Sequence, residues 1–442
     1  MEELQNIYDN SACNYAVHAL NTHSKSIDLG HTTLNRTPII VLSIFALLAL
    51  VATASATDYY MTTGGSDSNI GTSLDTAWAT LSHAQGQLSA GDTLHIADGT
   101  YYNDIFVAQV SGTAADPITI RAYNGMPTFI ESGTTRTLDL FNFGDADAAP
   151  SALYPVEYYN VEGLRAENYR RTFTVYYASN HFNLTNIDTK DCRYTVHLHR
   201  GCYNIIMKDF TVENAYYAPF HFWYDNHDCT LEDVTITGTI YDHGIIDFHT
   251  NNDNFIVRNI NFHGEMDHGE AIYLHGDHGT NDGNYFHNIT INMILSAGST
   301  TQECIDIWHA GYDNYFEDIT LQHTGGGSAL VNIGETSGLG SDNLTFKDVR
   351  LIDAGARAIY LEFGNDVGDM LFENLTILNC AAPQDISVSY GNRIDSIIFR
   401  DLKGDNNDFS VYCSDGFPNN GVIEFTDRRI FAENYANTDP HY

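Results

Sequence analysis

Between Tyr159 and about Asp401 the apolar and polar positions repeat one short phrase nine times: an apolar or aromatic pair, a variable residue, Asn or Asp, then an apolar residue. Leu231-Glu232-Asp233-Val234, Phe286-His287-Asn288-Ile289 and Phe372-Glu373-Asn374-Leu375 are examples. Successive Asn/Asp positions from Asn186 to Asp401 are 23, 24, 26, 29, 30, 30, 26 and 27 residues apart. A period in the twenties marks a solenoid, and its variable length means that one corner of each turn accepts insertions. The alternation has period two and Val, Ile, Phe and Tyr dominate, which predicts strands, not helices. Asn or Asp at one phase suits a tight bend whose side chain bonds backbone groups of the next turn.

Each turn also predicts a second, stricter strand. Val196-His197-Leu198-His199, Phe220-His221-Phe222-Trp223, Ile246-Asp247-Phe248-His249, Ile272-Tyr273-Leu274-His275 and Ile305-Asp306-Ile307-Trp308 share one pattern. Val331-Asn332-Ile333-Gly334 and Ile359-Tyr360-Leu361-Glu362 continue it. With the aliphatic and Phe positions in the core, the intervening residues point the other way. One outward column is then His197, His221, Asp247, Tyr273, Asp306, Asn332 and Tyr360, and a second is His199, Trp223, His249, His275 and Trp308. Seven turns at about 4.8 Å make a ribbon roughly 29 Å long. The plainer reading of the same columns is stacked His and Trp that only stabilise the sheet face.

Composition narrows the partners. The 442 residues carry 57 carboxylates against 20 Lys and Arg, a formal charge of −37. That balance argues against nucleic acid and keeps the chain soluble through self-repulsion. The hydrophobic content of 43% supplies a continuous core for one long domain. Residues 38–53 form an apolar run with Arg36 before it and Ala54-Ser55-Ala56 after it, the pattern of a signal peptide cut after Ala56. The expected division is therefore residues 1–56 as extension and signal peptide, and residues 57–442 as one solenoid. Residues 57–103 would form its cap and first coil and residues 414–442 a closing tail. The protein is expected to be secreted or on the cell surface, as a monomer, with a membrane involved only if the signal remains as an anchor. Removing residues 1–56 discards Cys13 and leaves Cys192, Cys202, Cys229, Cys304, Cys380 and Cys413. Disulfides and buried free thiols are both open, with Cys202 and Cys229 expected near each other on adjacent turns. Sequons stand at Asn183, Asn288, Asn343 and Asn374, and those at Asn288 and Asn374 fall on the repeated bend.

The entrance to the solenoid carries a resemblance. Tyr59-Tyr60-Met61-Thr62-Thr63-Gly64-Gly65-Ser66-Asp67 opens it, followed by Trp78-Ala79-Thr80-Leu81 and Ala90-Gly91-Asp92-Thr93-Leu94-His95-Ile96, ending in Gly99-Thr100-Tyr101. These segments resemble the opening of secreted right-handed parallel β-helix proteins of the pectate-lyase-like superfamily. With the repeats, the resemblance spans nearly all of the mature chain. It implies an all-β, right-handed parallel β-helix of about ten or more coils. A helix over residues 77–88, with apolar positions Ala77, Leu81, Ala84 and Leu88, would cover its open first turn. Strands are expected over residues 93–97, 105–107, 117–121 and 138–141. The superfamily includes lyases, hydrolases, epimerases and adhesins, so the resemblance implies a polysaccharide or glycan partner and leaves the reaction open.

The chemistry points to the middle of the ribbon. Asp247 and Asp306 are two turns apart, with backbones about 10 Å from each other. That suits an inverting hydrolysis with one acid, one base and a water between. His249, Tyr273 and His275 could instead supply a lyase or epimerase base, and Asp247-Phe248-His249 is weakly similar to the Asp-x-His element of mannuronan epimerases. Taken singly, each carboxylate is better read as a solvated surface group. Trp223, Trp308, His197, His199, His221, Asn332 and Tyr360 would grip the sugars. The loops Tyr241-Asp242-His243-Gly244 and Met266-Asp267-His268-Gly269-Glu270 rhyme, with Asp277 and His278 beyond. Asp242, Asp267 and Asp277 are candidate calcium ligands, although loop residues that only hydrogen-bond are the better reading. Pectate-lyase chemistry uses Arg or Lys near calcium, and neither column holds one. The acidic surface favours a neutral or calcium-bridged glycan. A non-catalytic glycan-binding or structural envelope protein is the alternative.

Overall fold

The structure is a computed structural model that describes residues 56–144, 155–276, 279–295, 303–308, 311–324, 329–335, 341–354, 357–363, 366–379, 386–389, 393–404, 411–413 and 422–425. The expected signal peptide, the connector at 145–154, Asp277, His278, Cys13, Cys380 and most of the closing tail lie outside these residues. Among the described residues no helix is long and apolar enough to cross a membrane.

Among the described residues every strand pair is parallel, and the strands stack into a β-solenoid of the right-handed type. Long strands such as Asn180–Cys192, Tyr203–Ala215, Ile256–Met266 and Tyr285–Leu295 belong to an eighteen-stranded sheet. Short strands form a twelve-stranded sheet. The long strands contain the repeated phrase, and its Asn or Asp takes a left-handed conformation, with φ of 55° at Asn186, 58° at Asp209 and 53° at Asn288. In Tyr203–Ala215 the buried positions are Ile205 and Met207, then Phe210 and Val212, so the alternation slips by one place at Asp209. One left-handed residue thus turns the strand while keeping apolar side chains inside on both arms. Asn and Asp tolerate that conformation better than other side chains. Gly163, with φ of 76°, takes the same place one turn earlier, between Val161 and Leu164.

The bend residues bond to each other, not to the backbone as expected. Asn259 Nδ2 donates to Asp233 Oδ1 at 2.7 Å, and Asn288 Nδ2 to Asn259 Oδ1 at 2.8 Å. Backbone recognition belongs to a second, fully buried asparagine ladder. Asn226 Oδ1 accepts from Cys202 N at 3.0 Å, Asn281 Oδ1 from Asn252 N at 2.9 Å, and Asn314 Oδ1 from Asn284 N at 3.0 Å. Inside the coil, Phe286, Phe316, Phe346, Phe372 and Phe399 stack with ring centroids 4.6, 4.6, 5.0 and 4.9 Å apart.

The first turn departs from expectation. The helix over residues 77–88 is reduced to one turn, Leu81–Ala84. Its start is held by Asp104, which accepts from Leu81 N at 2.6 Å and Ser82 N at 3.2 Å, and Thr80 caps it through His83 N. Ala77, Leu81, Ala84 and Leu88 are nevertheless all buried. Strands Thr93–Ala97, Phe106–Val107, Ile118–Tyr123 and Asp139–Phe143 lie close to where the pattern puts them. Cys192, Cys202, Cys229 and Cys304 are free and buried. Cys229 follows the register of Ile205 and Cys202 that of Asn226, so this pair is three register positions apart.

Candidate active site

The short strands Tyr194–Arg200, Phe220–Tyr224, Ile246–Thr250, Ile272–His275, Ile305–Trp308, Ala329–Glu335 and Arg357–Phe363 are consecutive in the twelve-stranded sheet. Their register puts His197, His221, Asp247, Tyr273, Asp306, Asn332 and Tyr360 in one file. His275 pairs with Trp308 in the second file, and His199, Trp223 and His249 share its phase. Val196, Leu198, Phe222, Phe248, Leu274 and Ile307 face the core.

Five of the seven residues in the first file leave the core yet are largely covered. His197 is 2% exposed, His221 5%, Asp247 0%, and Asp306 and Asn332 8% each. Its cover comes partly from rings outside the strand pattern. Tyr194 has its centroid 5.3 Å from both His197 and His221, Tyr217 packs edge-on to His221 at 5.9 Å, and Tyr176 stacks on His199 at 4.0 Å. Arg171 lies over Tyr176 and Tyr194, at 5.9 and 5.7 Å, and brings a cation near the start of the file that the column pattern did not show. The partly exposed members are Tyr273 and Tyr360 of the first file and His199, Trp223, His249, His275 and Trp308 of the second. Tyr273 and His275 stack at 4.9 Å. The Trp308 indole lies against the next turn, where a Cβ on Gly334 would come within 2.6 Å of the ring.

Two electrostatic environments meet on this sheet. At one end, His197 Nδ1 and His221 Nδ1 are 2.7 Å apart, one donating to the other. His221 Nε2 and His249 Nε2 stand 3.4 and 3.5 Å from Asp247 Oδ2. Burial pushes the Asp247 carboxyl up, but the attraction of the His249 and His221 imidazoles outweighs it and holds the group below the ordinary carboxylate value. Burial brings His221 down to about 4, against the pull of Asp247.

At the other end, burial and the neighbouring Glu303 push Asp306 up to about 7, although Asn332 Nδ2 donates to its Oδ1 at 2.8 Å. Burial, Asp306 and Glu303 push Glu270 up to about 8. Glu270 and Glu303 hold one register position on adjacent turns, each two residues before a strand whose Ile272 and Ile305 pair. Both are absent from the expected site. Their signal is in the sequence, since Gly269-Glu270-Ala271-Ile272 and Gln302-Glu303-Cys304-Ile305 rhyme. This end of the sheet holds carboxyls pushed up to about 7 and about 8, one or two register steps from a carboxyl held below its ordinary value.

Of the candidate calcium residues, Asp277 lies outside the described residues. Asp242 is exposed and accepts from His243 N at 3.1 Å. Ile240 pairs with Met266, so Asp242 and Asp267 are offset by one register position. Among the described residues the one group of three potential ligand side chains is His221, Asp247 and His249. A separate open groove of about 410 Å³ lies on the long-strand sheet, lined by Tyr158, Asn160, His181, Asn183, Asn204 and Ile206 among others. Its titratable lining residues are Tyr158, His181 and Asp228.

No family model and no curated protein matches the chain. Solved structures do. The catalytic domain of GH87 alpha-1,3-glucanase in complex with nigerose aligns with a TM-score of 0.50 and 11% identity, covering 79% of this chain and 66% of that domain. A rhamnogalacturonan lyase aligns at 0.39 and 15%, covering 84% and 86%. The A-module of the Azotobacter vinelandii mannuronan C-5 epimerase AlgE6 aligns at 0.41 and 10%, covering 77% and 91%. At such identities the likeness is one of fold, and this chain has the parallel β-solenoid fold of β-helix carbohydrate-active proteins.

Proposed function

We propose that this protein is an exported enzyme that cleaves a polysaccharide along the short-strand sheet, by hydrolysis. One observation carries the reading: Asp247 is held below its ordinary value while Asp306 and Glu270 are raised to about 7 and 8 on the same sheet. Titratable groups whose environments push their pKa values apart make an acid and a base. The fold shared with the α-1,3-glucanase catalytic domain supports a glycan as substrate class. The half-exposed rings of Trp223, Tyr273 and Trp308 offer faces on which sugars stack.

In this reading Asp306, backed by Glu270, donates its proton to the glycosidic oxygen as the C1–O bond breaks. A water on the opposite side of the sugar attacks C1 and gives up a proton. Asp247 is sealed, so it does not itself reach the sugar. It orients His249, which is partly exposed and takes that proton. The charge of −37 favours a neutral glycan over a polyuronate, unless divalent cations bridge the two.

The test is release of new reducing ends from a panel of polysaccharides, by the wild type, Asp306→Asn and Glu270→Gln. Each substitution is expected to lower turnover on the substrate found by about 10²–10⁴-fold, the usual worth of a general acid. Undiminished turnover in both variants overturns the assignment. The sealing of Asp247 favours one other reading, glycan binding without chemistry. Binding with no release from any substrate, lost in Trp223→Ala, would establish that instead.

A further inference from the structure

We propose that His221, Asp247 and His249 form a binding site for a divalent transition metal of the zinc class. One nitrogen or oxygen from each side chain lies within 4.8 Å of the others. The two His–Asp separations, 3.4 and 3.5 Å, are longer than the roughly 2.9 Å of a good N–H···O hydrogen bond. They match what a metal requires: ligand atoms about 2.0–2.1 Å from a tetrahedral zinc stand about 3.3–3.5 Å from one another. Both oxygens of the Asp247 carboxylate are also without a hydrogen-bond partner, although the residue is fully buried. A fully buried carboxylate whose oxygens accept no hydrogen bond calls for direct compensation. A cation between the three side chains supplies it.

The surroundings fit a ligand set. His221 engages the His197 ring through Nδ1 at 2.7 Å, which leaves Nε2 directed at Asp247. Metal-binding imidazoles are oriented in this way through their other nitrogen. Two imidazoles and one carboxylate select zinc or a similar transition metal over calcium, which takes oxygen ligands. Three protein ligands leave a coordination position for a water or a substrate oxygen, and His249 is the partly exposed ligand.

The site does not depend on the glycan reading. If both hold, the attacking water is activated by the metal in place of the His249 imidazole.

The experiment strips the full chain with a chelator, dialyses it against Zn²⁺ or Co²⁺ alone, and measures bound metal, melting temperature and the visible spectrum of the cobalt form. About one equivalent per chain, ligand-field bands of a tetrahedral N/O site and a higher melting temperature are expected. His249→Ala is expected to abolish the bands. His197→Phe, which keeps all three ligands, is expected to weaken binding about 10–100-fold. Should either variant fail to fold, the wild-type titration still decides, since it needs no substitution. Three results overturn the proposal: no stoichiometric Zn²⁺ or Co²⁺ in the refilled wild type, a metal content unchanged in folded His249→Ala, or calcium held as tightly as zinc.

Discussion

Asp306 shows how a side chain can be costly to the fold and useful to it. Its carboxyl is held near 7 by burial and by Glu303, and Glu270 near 8 by burial, Asp306 and Glu303. Below about pH 4 both groups are protonated in folded and unfolded chains alike. As pH rises, the unfolded chain loses these protons first, so the folded state binds more of them and its stability falls. The loss is complete once pH passes about 8 and the folded groups ionise as well. For Asp306 the effect is on the order of a few kcal/mol. Asp306→Asn is therefore expected to flatten the fall in melting temperature between pH 5 and pH 8 by several degrees while reducing turnover. Calorimetry across that range checks it. An equally steep fall in the variant would mean that the wild-type carboxyl is not held protonated. The buried thiols are raised too, Cys192 to about 11 and Cys202 to about 12, both by burial, so they should react with thiol reagents only on unfolding.

At the level of the strand, the repeating phrase set out most of what the structure contains. The left-handed Asn or Asp, the stacked Phe inside and the register of the short strands all follow from positions that recur once per turn. Two things did not. Period-two alternation says which side chains leave the core, but not what covers them. His197, His221 and Asp247 were therefore read as facing solvent, although Tyr194, at the head of its strand, and Tyr176 and Tyr217, from connections between strands, pack against the two histidines. The second is the buried ladder: Asn226, Asn252 and Asn281 stand seven residues before Asp233, Asn259 and Asn288, and Asn284 and Asn314 four before Asn288 and Asp318, so the ladder recurs with the bend but lies outside the phrase itself.

That ladder makes a sharp prediction. Asn252 Nδ2 donates to Phe222 O at 3.0 Å and Trp223 O at 3.1 Å, and its Oδ1 accepts from Asn226 at 2.8 Å. Asn252→Ala leaves these groups buried and unpaired, at about 1–3 kcal/mol for each that water cannot reach. Loss of at least about 3 kcal/mol by denaturant titration is expected, against about 1–2 kcal/mol for Asn259→Ala at the solvent-facing bend. Equal and small losses at both would contradict the ladder's role.

For the whole molecule, charge governs which polymers can approach. With 57 carboxylates against 20 Lys and Arg, long-range repulsion of a polyuronate should weaken as salt shortens the Debye length to about 10 Å at 0.1 M. Binding of an anionic glycan should rise with ionic strength or with added divalent cation, while that of a neutral glucan stays flat. Titrations at low and high salt test this, and a preference for polyuronate at low salt without divalent cations would contradict it. The solenoid contributes geometry: it brings Asp247 and Asp306, 59 positions apart in the chain, to within two register steps on one wall. The account rests on that wall being where a glycan is cut. Its most direct test is the pH profile of reducing-end release by the wild type and Asp306→Asn on the best polysaccharide of a broad panel. The account predicts wild-type release that declines above about pH 7 as Asp306 ionises, and a variant at least about 100-fold slower. Equal rates and superimposable profiles for the two proteins would contradict it.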